Sequence, residues 1–338
     1  MEPLTTGVFD DITDVPGVRV GHARNLEAKT GVTVVLPPPR RVSAGVHIGG
    51  FASSTRQIDS LSASHVVDGI HGVCLCGGSA FGLDAVGGAL AYLEEIGVGI
   101  PVTGKTIPIV PSAALFDLNF GLGTVRPDKA MGYEAAGNAA EGPIDQGSVG
   151  AGTGATIGKL KGIEHAVKGG LGSASVKCGP LVVGAIVAVN CYGDVRDETG
   201  RLIAGVRTAP DSGQFADAVR LLEEGKAATP TVTPENTTLA VVAANARFDK
   251  IGAGRIAAQA TLGLARHISP FHAHIDGDVT MALSVGDLEA DPNRIGLLAA
   301  AALRRAIVKA VRQADGFGLL PSWTDLRDGT TSASRAAR

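Results

Sequence analysis

The chain has 338 residues, 45% hydrophobic and 19% charged, with a net charge of -3 and a pI near 6.2. That composition supports a large core and excludes wholesale disorder. It offers no basic field for nucleic acid and no Lys/Arg run for a membrane surface. The 47 glycines, about twice the usual share, gather at the ends of apolar runs. They argue for tight turns and close backbone approaches, not for a linker or a fibrous repeat.

In chain order, the opening "MEPLTTGVFDDITDVPG" has neither a basic nor an apolar leader and is expected not to be a signal peptide. Short strands are predicted from Val18 to His22 and from Thr30 to Leu36, and another from Ile70 to Cys76. The spacing of Phe81, Leu83, Val86, Leu90 and Leu93 predicts a helix from Ala80 to Ile96, capped by Ser79. A glycine-dense loop follows from Gly147 to Gly158. Leu181 to Asn190 is a strand too apolar to face water on either side, and far too short to span a bilayer, which takes about 18 residues. Ser212 to Glu224 alternates like a helix, and Pro230 to Glu235 reads as a loop. Thr238 to Ala246 is a strand with both faces buried. Helices are expected from Ile251 to Ile268 and from Pro292 to Gln313, the latter with proline in its first turn. Residues 324–338 are polar and small and are expected to form a flexible tail. Several strand pairs lack an intervening helix, which predicts a layered α/β fold with mixed or antiparallel pairing. The four cysteines are read as small buried hydrophobes of a reduced, cytoplasmic protein.

Four motifs bear on chemistry. "GSVGAGTGATIGKLKG" (Gly147–Gly162) invites a phosphate-loop reading, but Thr153 stands where the first glycine belongs and Leu160 where the magnesium-binding hydroxyl belongs. The loop is either tightly packed backbone or the lining of a site with Lys159 pointing in. "FHAHIDGD" carries His272 and His274, which on a strand would share one face as metal ligands do, although no supporting ligands accompany them. Asp276 and Asp278 flank Gly277 and can approach one point at a turn; a solvated turn is the alternative. "GGSAFG" does not complete a nucleophile elbow around Ser79.

The fourth motif, "PENTTLAVV", runs from a loop into a buried strand. Locally it is a turn followed by β-branched residues. A second reading has the Asn236–Thr237 bond cut, making Thr237 a new N-terminus. Its hydroxyl is then a nucleophile and its own α-amine, with a pKa of about 7.7–8.0, the general base.

Taken together and in order, "ITDVPGVRVGHA", "GVTVVLP", "GGSAFGLDAVGGALAYLEE", "VPSAALFDL", "GSVGAGTGATIGKLKG", "GGLGSAS", "NTTLAVVAANA" and "FHAHIDGD" make the chain resemble the L-aminopeptidase/D-esterase (DmpA-type) peptidases. That family includes β-aminopeptidases and nylon-oligomer hydrolases. The likeness spans roughly Ile12 to Leu288 and lies nearest the threonine-type, nylon-hydrolase-like branch.

The resemblance implies a four-layer α-β-β-α sandwich like that of ornithine acetyltransferase, forming one hydrolase domain over residues 1–338. It implies self-cleavage into 1–236 and 237–338, with no cofactor and no metal. Thr237 matches the nucleophile and Asn236 the residue before the cut. Asp276 and Asp278 match the pair that orients the nucleophile and its amine. Asn190 matches an asparagine that serves the oxyanion, and Lys159 a lysine near the site. Phe116 stands where some members carry a tyrosine, so no hydroxyl is available there and the residue is assigned to the substrate pocket. The implied substrates are small peptides or amides and oligomers of β- and ω-amino acids. The implied assembly is a homotetramer of cleaved heterodimers. An ornithine-type acetyltransferase, a metal-dependent amidohydrolase and a non-enzymatic scaffold are the rival readings.

Overall fold

The computed structural model describes residues 4–226 and 236–328. Ten strands build two sheets: β1 (Arg19–Asn25), β2 (Thr30–Leu36), β3 (Ser43–Ile48), β4 (Ser54–Arg56), β5 (Val73–Cys76), β6 (Ser112–Ala114), β7 (Gly170–Cys178), β8 (Leu181–Asn190), β9 (Thr237–Ala246) and β10 (Val279–Leu288). The first sheet has the order β1-β2-β5-β6-β4 and the second β7-β8-β9-β10-β3. Each contains one parallel pair, β5 with β6 and β9 with β10, among antiparallel neighbours. The mixed pairing follows the sequence expectation.

Side chains of both sheets meet in one core: Val35, Leu75 and Ala113 from the first, with Leu171, Ile186, Leu239 and Met281 from the second. The outer face of the first sheet is covered by α1 (Val86–Glu95) and α2 (Lys129–Gly137). The outer face of the second is covered by α3 (Lys250–Ala265) and α4 (Pro292–Arg312). The result is four layers, α-β-β-α. It explains why β8 and β9 are apolar at almost every position: Val183, Val187, Ala240 and Val242 face the helices, while Ile186, Leu239 and Val241 face the other sheet.

The glycine content has a local cause. A Cβ on Gly172 would stand 2.0 Å from Ala306 O of α4, and one on Gly45 would stand 2.3 Å from Gly254 N of α3. Helix backbone therefore rests directly on strand backbone, which larger residues would prevent.

Several expectations are corrected. The helix from Ala80 is broken into Ser79–Gly82, a 3-10 turn Leu83–Ala85, and α1. Ser79 does not cap it; Gly78 holds that position, and Ser79 is itself left-handed at φ 54°. Of Ser212 to Glu224 only Ala218–Glu223 is helical. Residues 324–327 are helical: Ser322 caps a short helix, Trp323–Arg327, through a capping box with Asp325. Residues 329–338 and the loop Pro230 to Glu235 lie outside the described residues. The four cysteines are free and buried.

Candidate active site

The site lies where β8 ends and β9 begins. Antiparallel pairing sets Asn190, the last residue of β8, opposite Thr237, the first of β9. An isolated parallel bridge joins Asn236 to Asp276, and three residues later β10 starts beside β9. Four residues separated by up to 88 positions in the chain thus stand at one edge: Asn190, Thr237, Asp276 and Asp278. All four are buried, as is Asn236.

Thr237 Oγ1 lies against the carbonyl oxygen of Asn236 and donates to it. The same oxygen accepts the Gly277 N–H at 3.0 Å. The carbonyl oxygen in question therefore receives a hydroxyl and a backbone amide together. Gly277 must be glycine for this closeness, because a Cβ there would sit 2.7 Å from Thr237 Oγ1.

The two carboxylates do different things. Asp278 Oδ1 accepts the Thr238 N–H at 2.6 Å and Oδ2 meets His272 Nδ1 at 3.0 Å. Asp276 Oδ2 accepts the Ala273 N–H at 3.0 Å, and its Oδ1 is buried without a hydrogen-bond partner. Burial, and then the Asp278 carboxylate, push the Asp276 carboxyl up to about 8. The turn that holds both is clamped from outside: Phe51 and Ala52 N–H donate to Asp276 O, and Gly49 and Gly50 N–H donate to Asp278 O.

The glycine loop does line the site. It folds as a 3-10 turn (Gly150–Gly152) and a short strand (Thr156–Ile157), and brings Lys159 to Asn190. Lys159 Nζ donates to Asn190 Oδ1 at 2.9 Å, to Thr156 O at 2.9 Å and to Thr156 Oγ1 at 3.0 Å. Asn190 Oδ1 also accepts the Thr156 N–H at 2.9 Å, and Asn190 Nδ2 donates to Phe116 O at 2.9 Å. The asparagine amide is thereby oriented, oxygen toward the lysine. Phe116 meets the site through its backbone carbonyl.

His272 and His274 do not share a strand face. Both lie in a bend and turn ahead of β10. His272 turns to Asp278 while His274 packs against the Phe51 ring, 5.2 Å between centroids. No group of three or more His, Cys, Asp or Glu side chains among the described residues is arranged to hold a metal ion.

Sequence reasoning missed Gly277 as a donor, Thr156 as a partner of both Lys159 and Asn190, and His272 as the partner of Asp278. The lone signal available was their place inside two motifs already singled out. A second buried lysine was missed altogether. Lys168 Nζ donates to Gly152 O, Ala155 O and Gly169 O at 2.7–3.0 Å, bracing the loop that carries Thr156. Burial brings its ammonium down to about 7.

A buried threonine opening a central strand can act as a nucleophile if its own amine is freed to serve as base. The comparisons with known proteins agree. The chain belongs to Peptidase family S58, whose model matches residues 10–319. An uncharacterized aminopeptidase of Mycobacterium leprae is 36% identical, covering 96% of each chain. A 6-aminohexanoate-oligomer endohydrolase of a Kocuria species is 30% identical over 82% of this chain and 75% of its own. Among solved structures, a Burkholderia β-aminopeptidase has a TM-score of 0.68 at 22% identity, covering 97% of this chain and 95% of that one. The L-aminopeptidase D-Ala-esterase/amidase of Ochrobactrum anthropi, described as a variant of the Ntn hydrolase fold, has a TM-score of 0.66 at 21% identity, covering 93% and 89%. These last two likenesses concern the fold. The protein is an amide hydrolase of the peptidase kind.

Proposed function

We propose that the chain cuts itself between Asn236 and Thr237, and that Thr237 then hydrolyses small peptides or amides and oligomers of β- or ω-amino acids. One observation carries this reading: Thr237 Oγ1 and the Gly277 N–H converge on the carbonyl of the bond to be cut.

In self-cleavage, Thr237 Oγ1 attacks the Asn236 carbonyl carbon. The developing oxyanion is held by the Gly277 N–H. The C–N bond breaks, the hydroxyl proton ends on the departing Thr237 nitrogen, and an ester links Asn236 to Thr237 Oγ1. Water hydrolyses that ester, freeing the Asn236 carboxylate and the Thr237 hydroxyl beside the amine already released. Pieces 1–236 and 237–338 stay together because β9 pairs with β8 and β10 with β3, both strands of the larger piece.

In turnover, the new α-amine takes the proton of its own hydroxyl. The unpartnered Asp276 Oδ1 is the acceptor for the ammonium that results, and Asp278 fixes the start of the strand through the Thr238 N–H. Asn190, held by Lys159 and Phe116 O, serves the substrate oxyanion. The acyl-enzyme ester is then resolved by water. The named activity of the 6-aminohexanoate-oligomer endohydrolases supports the ω-amino acid amides as substrate class.

Among the described residues no helix is long and apolar enough to cross a membrane, and the cysteines are free. A cytoplasmic homotetramer of cleaved heterodimers completes the reading. Intact mass tests it. The wild type should give pieces of about 24 and about 10 kDa, dividing 34.1 kDa in proportion to length, and the Thr237→Ala chain one uncut mass without amidase activity. A Thr237→Ala chain cut at the same bond would overturn it.

A further inference from the structure

His272 belongs to none of the roles assigned above, yet its setting is specific. Its Nδ1 stands 3.0 Å from Asp278 Oδ2, and the other oxygen of that carboxylate takes the Thr238 N–H at 2.6 Å. Asp278 is thus a bridge, with the imidazole on one side and the residue after the nucleophile on the other. The Asp278 side chain is 2% exposed and that of His272 is 26% exposed, so the imidazole stands nearer to solvent than the carboxylate it meets.

Three further observations show that the imidazole is held in place. His272 adopts φ 57°, a left-handed conformation that is unfavourable for a non-glycine residue and persists when the surroundings demand it. Its ring stacks on Phe271, 4.0 Å between centroids at 29°. Its Nε2 fills the space over Gly49, where a Cβ would come within 2.0 Å. Gly49 and Gly50 in turn donate to Asp278 O, so the same loop that makes room for the ring also grips the residue that the ring addresses. Nε2 is buried and has no hydrogen-bond partner. A proton there would be a buried unsatisfied donor, so the proton belongs on Nδ1, pointing at the carboxylate.

We propose that His272 is a positioning residue for the attack of Thr237: its Nδ1–H fixes Asp278, and Asp278 through the Thr238 N–H fixes the main chain that carries the nucleophile. The inference rests on the reading of Thr237 given above. It makes a two-bond relay, His272 to Asp278 to Thr238, in which the imidazole acts by the direction of one hydrogen bond. His47, whose ring centroid lies 6.0 Å away at 52°, packs beside this relay without joining it.

The atom that matters can be tested by two amides. Asparagine places its Nδ2 near the position of the imidazole Nδ1 and tolerates the left-handed backbone. Glutamine is polar too but carries its donor out toward the position of Nε2. Each chain is made by cell-free synthesis, and the rate of appearance of the two pieces is followed by intact mass, with melting temperature measured alongside. The expected result is cutting within about threefold of wild type for His272→Asn and about ten- to a hundredfold slower for His272→Gln, the range for a misplaced reacting group. A folded His272→Gln chain that cuts at the wild-type rate overturns the proposal. So does a folded His272→Asn chain as slow as the glutamine one, because the donor position would then be irrelevant. Should the glutamine variant not fold, the asparagine variant decides alone on the same threshold. Thr237→Ala is run in parallel: if it still cuts, the nucleophile is misassigned, whereas if it does not cut and His272→Gln does, only the role of His272 fails.

Discussion

Gly277→Ala should arrest maturation without destroying the fold. A Cβ built on Gly277 lies 2.7 Å from Thr237 Oγ1 and 2.7 Å from Ala52 O, where ordinary contact begins at 3.4 Å. The shortfall is about 0.7 Å on two sides at once. Neither neighbour can easily retreat. Thr237 is held in β9 between β8 and β10, and Ala52 is tied by its own N–H to Asp276 O. The strain must therefore move the Asp276–Asp278 turn, stretching the 3.0 Å bond from Gly277 N–H to Asn236 O, or move the hydroxyl itself. Overpacking of this kind costs about 1–3 kcal/mol of stability, which a domain of this size survives. A displacement near 1 Å at a reacting atom costs up to about a hundredfold in rate. We expect self-cleavage slowed by about ten- to a hundredfold, equivalent to about 1.4–2.7 kcal/mol of barrier. The assay is the time course of intact mass after synthesis, with melting temperature as the control for folding. A folded Gly277→Ala chain maturing within about twofold of wild type would refute the reasoning, because the close approach of Gly277 to the hydroxyl would then have no consequence.

Other outcomes follow from the same geometry. Thr237→Ser keeps a hydroxyl at the strand start and should still yield two pieces, while Thr237→Ala should not; a serine chain that stays whole would show that the methyl group is needed as well as the oxygen. In the uncut Thr237→Ala chain, the Asp276 carboxyl is pushed from 3.8 up to about 8. Between those values the unfolded chain has lost this proton and the folded chain keeps it, so stability falls as pH rises and levels off above about 8. Asp11, Asp117 and Asp194, each raised by burial to about 6, add to the fall at lower pH, and Lys168, brought down to about 7, opposes it above that value, so the contribution of Asp276 is read as the difference between two chains that share all of these groups. Adding Asp276→Asn should flatten the urea midpoint between pH 6 and 8 relative to Thr237→Ala alone; identical slopes would count against a buried protonated Asp276. Lys168→Met removes three buried donors from the carbonyls of Gly152, Ala155 and Gly169. It should lower stability by about 2–4 kcal/mol in urea unfolding, and a change within about 0.5 kcal/mol, the range of a surface substitution, would remove Lys168 as the brace of the glycine loop.

Hydrophobic pattern made much of the fold legible. β2 and β8 have the predicted limits, and β9 begins one residue earlier than read, because uninterrupted apolar runs between turn residues admit few other structures. α4 was legible from its proline at the first turn and its periodic apolar face. β7, "GLGSASVKC", was not, since glycine and serine carry little strand propensity; it is a strand because α4 needs small residues beneath it. The helix after Gly78 was misjudged at its start because apolar spacing does not report a left-handed turn at Ser79.

The site divides in the same way. The sequence by itself determined which residue types were present and in which motifs: Lys159 in the glycine loop, Asn190 at a strand end, Thr237 at a strand start, Asp276 and Asp278 about a glycine. Periodicity records which side of an element is buried, and motif order records kinship. Neither records register. Only the tertiary structure set Asn190 opposite Thr237, brought the Gly277 N–H to the Asn236 carbonyl, and turned His272 from a candidate metal ligand into the partner of Asp278. Those contacts join atoms on different strands and loops. Their distances depend on how two sheets, each set by its own pairing, come to rest on one another, which is decided by packing across the whole core.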